Sequence, residues 1–141
     1  MKIFRFMSNE EFEKYINGDE LVNRTKHKAK TNSVGFCFFD LKDFQPEFAW
    51  KFLKGVVFPD LCVVFEVDET KLKQGYGIYS DPNKSLYELM NFIPKMINVT
   101  EYSTITYNNK DFKLLKYTTG KISIFADKFE WRKEKNETSN D

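Results

Sequence analysis

The chain has 141 residues and a net charge of +1, from 22 Lys and Arg against 21 Asp and Glu; 41% of it is hydrophobic and 17% aromatic, with 15 Phe and 7 Tyr. This length matches one domain and buries about two-thirds of the unfolded chain's surface, enough for a core that needs no metal or disulfide staple. The aromatic content excludes a disordered chain, the neutral charge argues against nucleic acid as a partner, and no apolar run reaches the ~20 residues of a membrane span.

Lys2 to Met7 reads as a short strand in which Arg5 interrupts apolar neighbours, so Arg5 is paired, exposed on one face, or lining a pocket. Ser8-Asn9-Glu10-Glu11 matches a capping box, with Ser8 accepting from the Glu11 amide and the Glu11 carboxylate reaching back. Phe12, Tyr15 and Ile16 follow at helical spacing, and Gly18 closes the helix in a left-handed conformation. Leu21 to Ser33 has little periodicity and reads as a loop. It carries the basic run Arg24 to Lys30, most simply a solvated stretch, alternatively a phosphate patch. Val34 to Phe39 reads as a buried strand, and Asp43 to Lys54 as a second helix with Pro46 in its first turn.

Leu61 to Val67 is β-branched and aromatic, the clearest strand. Gly75 to Tyr79 is a glycine-bracketed aromatic segment, and Asp81 is placed to cap a third helix that starts at Pro82. Glu101 to Tyr107 and Phe112 to Tyr117 read as a hairpin about Asn108-Asn109, with Ile122 to Phe125 as one further strand. The expectation is one compact α+β domain over residues 1–132, with small mixed or antiparallel sheets and two to three helices, and a polar, flexible tail over 133–141.

Cys37 and Cys62 lie in apolar strand-like runs, as buried free thiols of a reducing cytoplasm would. The start Met1-Lys2-Ile3-Phe4-Arg5 lacks the apolar segment of a secretory signal, so a cytoplasmic protein is expected. One histidine and two separated cysteines do not make a zinc site, and no oxygen-ligand calcium loop is present. Gly120-Lys121 is followed by Ile122 where a phosphate loop needs Ser or Thr. His27, in a polar stretch, is poorly held to serve a nucleophile. The chemistry left to this chain is that of Arg5, hydroxyls and carboxylates, without a metal. Lys, Asn, Ile and Phe excess points to an AT-rich coding sequence of a bacterium or its phage.

In this order the early-strand Arg5, the hydroxyls Thr31 and Ser33 before an apolar strand, the unit ending Val64-Phe65-Glu66-Val67 and the late strand opening Glu101-Tyr102 resemble the ADP-ribosyltransferase-like fold of bacterial toxins and poly-ADP-ribose polymerases. The resemblance spans Ile3 to Tyr117. It implies NAD as substrate, with ADP-ribosyl transfer or NAD cleavage as the reaction. Glu101 would then be the catalytic carboxylate facing an oxocarbenium-like ribosyl centre. Arg5 would hold a phosphate or ribose oxygen, Thr31 and Ser33 would order the strand and contact the ribose, and Tyr76 or Tyr79 would stack on nicotinamide. Arginine-directed toxins carry Glu or Gln two positions before that glutamate. Val99 stands here, so the implied acceptor is not arginine, and Thr31-Asn32-Ser33 matches the usual Ser-Thr-Ser in part. The enzyme reading gains sharply if Arg5, Ser33 and Glu101 line one cleft and goes if they lie on separate faces. The residues alone leave other roles open: Arg5 pairing with Glu66 or another carboxylate, Glu101 an exposed strand-start residue, the tyrosines core filler. The alternative function is a non-enzymatic module of phage or mobile-element type that grips a host protein through exposed aromatics.

Overall fold

The computed structural model describes residues 1–25, 35–44, 60–80, 96–118 and 131–133; within it, 76–80 and 96–99 are described by their backbone. The expected helix body over 45–54, the helix from Pro82, the strand Ile122 to Phe125, the basic residues 26–30 and the tail beyond Lys133 lie outside the described residues.

The described chain is α+β, one helix on a largely antiparallel sheet. β1 (Lys2–Met7) leads into α1 (Asn9–Ile16), and β2 (Leu21–Val22) follows. Then come β3 (Phe36–Asp40), β4 (Leu61–Glu66), β5 (Lys73–Ser80), β6 (Met96–Thr104), β7 (Thr106–Tyr107), β8 (Lys113–Thr118) and β9 (Trp131–Lys133). Seven strands form one sheet in the order β5-β6-β3-β1-β4-β8-β9, while β2 and β7 pair separately. No helix among the described residues is long and apolar enough to cross a membrane.

α1 starts as the capping signal requires: Ser8 is extended and its side chain accepts from the Glu11 amide at 3.1 Å. Gly18, at φ +85°, turns the chain out of the helix. The Glu11 carboxylate, however, does not return to Ser8. It bonds Arg5 and Tyr107, because a charged fork and a phenol offer stronger donors than one backbone amide.

Alternation along the strands gives the large sheet two apolar faces. Ile3, Met7, Phe36, Phe38, Leu61, Val63, Phe65 and Leu114 share one, where α1 contributes Tyr15, the β2–β7 pair Leu21 and Tyr107, and the turn before β8 Phe112. Phe38, Phe65, Tyr107 and Phe112 form a ring cluster with centroids 5.2 to 6.1 Å apart, mostly edge-on. Each such buried aromatic contributes roughly 1.5–3 kcal/mol. The other face holds Phe4, Phe39, Cys62 and Val64, with Phe6, Leu41, Phe44, Leu115 and Trp131 packed on it. A bulge in β8 against Val64/Phe65 puts both Leu115 and Lys116 on this face, while Leu114 stays on the other.

Four expectations are corrected. Leu21 and Val22 are not loop: they pair with Tyr107 and Thr106, and Leu21 is buried. The second helix does not begin at Asp43. Asp40 caps a single 3-10 turn, Leu41–Asp43, after which Phe44 is extended and packs its ring on Phe4 at 5.1 Å. The Glu101–Tyr107 segment breaks at Ile105 into β6 and β7. Nor does it pair with 112–117. β6 lies between β5 and β3, and β8 lies between β4 and β9. Asn108 does make a turn, its side chain accepting from the amides of Lys110 and Asp111, but that turn carries the chain between sheets instead of closing a hairpin. Lys133, the expected start of the tail, is the last residue of β9.

Candidate functional site

Two groups with charged side chains lie in the described interior, on opposite faces of the large sheet. The first is built on Arg5. In β1 it pairs with Val63, so it shares the face of Val63, Phe36 and Phe38. Its Nε and Nη2 donate to the two oxygens of Glu11 at 2.7 and 2.8 Å, and Nη1 donates to the Cys37 carbonyl at 3.1 Å. The guanidinium carbon lies 5.0 Å from the Phe36 ring centre and 5.8 Å from that of Phe38. Tyr107 donates its hydroxyl to Glu11 at 2.6 Å. The Tyr15 hydroxyl donates to the Phe112 carbonyl close by. Burial alone lowers the Arg5 pKa, but the hydrogen bonds and charge of Glu11 outweigh it and hold the guanidinium above its ordinary value. Burial and then the Glu11 charge push the Tyr107 phenol well up. At neutral pH this is a closed unit of cation, anion and neutral phenol.

The second group is built on Glu101, opposite Phe39 of β3 and Gly75 of β5. Residues opposite one another share a face, which puts Glu101 with Phe39 on the far side of the sheet from Arg5. Glu101 is not an exposed strand-start residue: it is the sixth of nine residues of β6 and 2% exposed. Ser103, also buried, stands opposite Cys37, which puts Cys37 on the face of Glu101 and diagonal to it across the ladder. Burial, with the Glu101 charge added, pushes the Cys37 thiol up to about 12, although Arg5 pulls the other way. Cys37 is therefore a protonated donor and not a nucleophile at neutral pH. Burial likewise raises Cys62, and both cysteines are free.

Of the residues expected at the site, Thr31 and Ser33 lie outside the described residues. Tyr76 and Tyr79 stand on β5 opposite Thr100 and Ile97 of the strand that carries Glu101. The strands of Tyr76, Glu101, the segment after Ser33, and Arg5 are thus four neighbours, β5-β6-β3-β1. What topology does not bring together is Arg5 and Glu101, which point to opposite faces. Nor does Arg5 pair with Glu66, which lies 3.6 Å from the N-terminal ammonium.

Sequence reasoning missed Glu11 and Tyr107 as partners of Arg5. The available signal was Arg5 itself: an arginine between Phe4 and Phe6 demands a carboxylate, and Glu11 is six residues on. Among the described residues no group of three or more His, Cys, Asp or Glu is placed to hold a metal ion. The large exposed apolar side chains among them are Ile16, Val22 and Ile105, aliphatic where aromatics were expected. No protein-family model, curated protein or solved structure matches the chain.

Proposed function

We propose that this chain binds NAD and breaks its N-glycosidic bond, as a hydrolase or an ADP-ribosyl transferase with an acceptor other than arginine, on an ADP-ribosyltransferase-like fold. The seating of Glu101 carries the reading. A carboxylate 2% exposed in mid-sheet is costly in a protein interior, and such groups concentrate at functional sites. Glu101 also has the Cys37 side chain and Ser103 on its own face and the glycine-bracketed strand β5 beside it. A preorganised carboxylate in low dielectric stabilises the positive charge that develops as nicotinamide leaves. Arg5 and Glu101 lie on separate faces, so the shared cleft set out above as the mark of the enzyme is not formed by them and the arginine–serine–glutamate form is set aside; the proposal rests on Glu101 alone, and Arg5 makes no ligand contact in it.

The test is nicotinamide release from millimolar NAD by the wild-type protein and by Glu101→Gln, with folding of both checked by melting. The variant keeps the size of the side chain and loses its charge, so release falls ~10²–10³-fold. Equal activity of the two proteins sinks the assignment of Glu101, and no release by the wild type sinks the enzyme reading.

A specific observation favours a second reading, a protein-binding module. Val22 and Ile105 are 54% and 40% exposed on adjoining chain segments, joined by the bond from the Asn23 amide to the Ile105 carbonyl at 2.9 Å, and Ile16 at the end of α1 is 51% exposed. This is the reading that stands if NAD is neither bound nor cleaved.

A further inference from the structure

Resting on the reading of Glu101 as the reacting carboxylate, we infer that Arg5 is a positioning residue: from the opposite face of the sheet it clasps β3 through the Cys37 carbonyl and so sets the strand against which Glu101 is aligned. Cys37 is the link between the faces. Its carbonyl accepts from Arg5 Nη1 at 3.1 Å, while its side chain lies on the face of Glu101, diagonal to it across the β3–β6 ladder. The backbone ladder between β1 and β3 consists of Ile3 with Asp40 and Phe4 with Phe39. Past that pair the side chain of Arg5 joins the two strands. The β3–β6 ladder runs further, from Phe39–Glu101 through Cys37–Ser103 to Phe36–Thr104, and this is the stretch that Arg5 supports.

The fork of Arg5 is itself aimed. Glu11 takes Nε and Nη2, which leaves Nη1 directed at β3, and the rings of Phe36 and Phe38 lie against the guanidinium. A lysine keeps the charge but has no planar fork, and so cannot hold Glu11 in two places while reaching Cys37. A misplacement of the order of 1 Å at a reacting group costs ~10²-fold in rate even when its cause is remote.

The test compares wild-type protein with Arg5→Lys. Hydrogen exchange of the amides of Phe36 to Phe39 and of Glu101 to Thr104 speeds up in the variant, more than in β4 or β8. With NAD as substrate, kcat falls at least ~10-fold while KM stays within about twofold, the signature of lost alignment with binding intact. A raised KM with kcat unchanged overturns the inference in favour of direct contact with NAD, and unchanged exchange in β3 and β6 overturns the clasp. Should Arg5→Lys fail to fold, the wild-type protein answers by nuclear magnetic resonance. The Nη–H protons of Arg5 exchange slowly beside those of exposed Arg24 if the clasp is closed, and equal rates overturn it. A wild-type protein that releases no nicotinamide refutes the reading of Glu101, and the exchange pattern then decides the clasp alone.

Discussion

Replacing Glu11 with alanine removes the acceptor of three hydrogen bonds, from Arg5 Nε at 2.7 Å, Arg5 Nη2 at 2.8 Å and the Tyr107 hydroxyl at 2.6 Å. The guanidinium left behind lies against Phe36 and Phe38 and keeps its bond to the Cys37 carbonyl. Removing one member of a buried ion pair costs ~3–5 kcal/mol, and an orphaned buried polar group costs ~1–3 kcal/mol. The two effects overlap at one carboxylate and do not add. Water still reaches the pair, whose side chains are 16% and 14% exposed, which favours the low end of that range. Alanine's better helix propensity returns a few tenths of a kcal/mol. The expected loss for Glu11→Ala is therefore about 3 kcal/mol, or roughly 10 °C in Tm for a chain of this size. Glu11→Gln, which keeps one acceptor, falls between wild type and alanine. Urea unfolding at neutral pH measures both. A loss below about 1 kcal/mol for the alanine variant is what an exposed, screened pair gives, and it would refute the description of this group as a buried junction.

Gly35→Ala is expected to cost more than 2 kcal/mol or to prevent folding, since Gly35 sits at φ +99° and an added Cβ would lie 2.2 Å from the Thr104 carbonyl oxygen; a Tm within a few degrees of wild type would contradict the close approach of β3 and β6. Stability is expected to fall as pH rises from about 9 to about 12, because the fold holds the Cys37 thiol protonated, mainly by burial, up to about 12 while the unfolded chain ionises near 9.0. The unfolded state then binds fewer protons, so the slope of stability against pH is negative in that window. Urea midpoints at neutral pH and pH 10 read this slope, and Cys37→Ala should show a shallower one; equal slopes would remove Cys37 as its source.

The local elements of this protein were legible wherever a short stretch carries its own instruction. Ser8 and Gly18 bracket α1, the apolar runs at 2–7 and 61–66 are β1 and β4, and Asn108 is a turn. Each depends on backbone and side-chain preferences within a few residues. The α+β class followed from the same local signals. Strand partnership did not, because a strand's pattern says which face is buried and nothing about which edge it meets. The turn at Asn108 suggested a hairpin, yet β6 and β8 end three strands apart, since β1, β3 and β4 interpose their apolar faces between them. The site divides in the same way. That Arg5 and Glu101 need an explanation was readable from their types and neighbours. That Arg5 meets Glu11 and Tyr107 on one face, while Glu101 is buried beside Cys37 on the other, was decided by the parity of the register across β1, β3 and β6. Parity of that kind exists only once the strands are paired, and a shift of one residue in any ladder would reverse it.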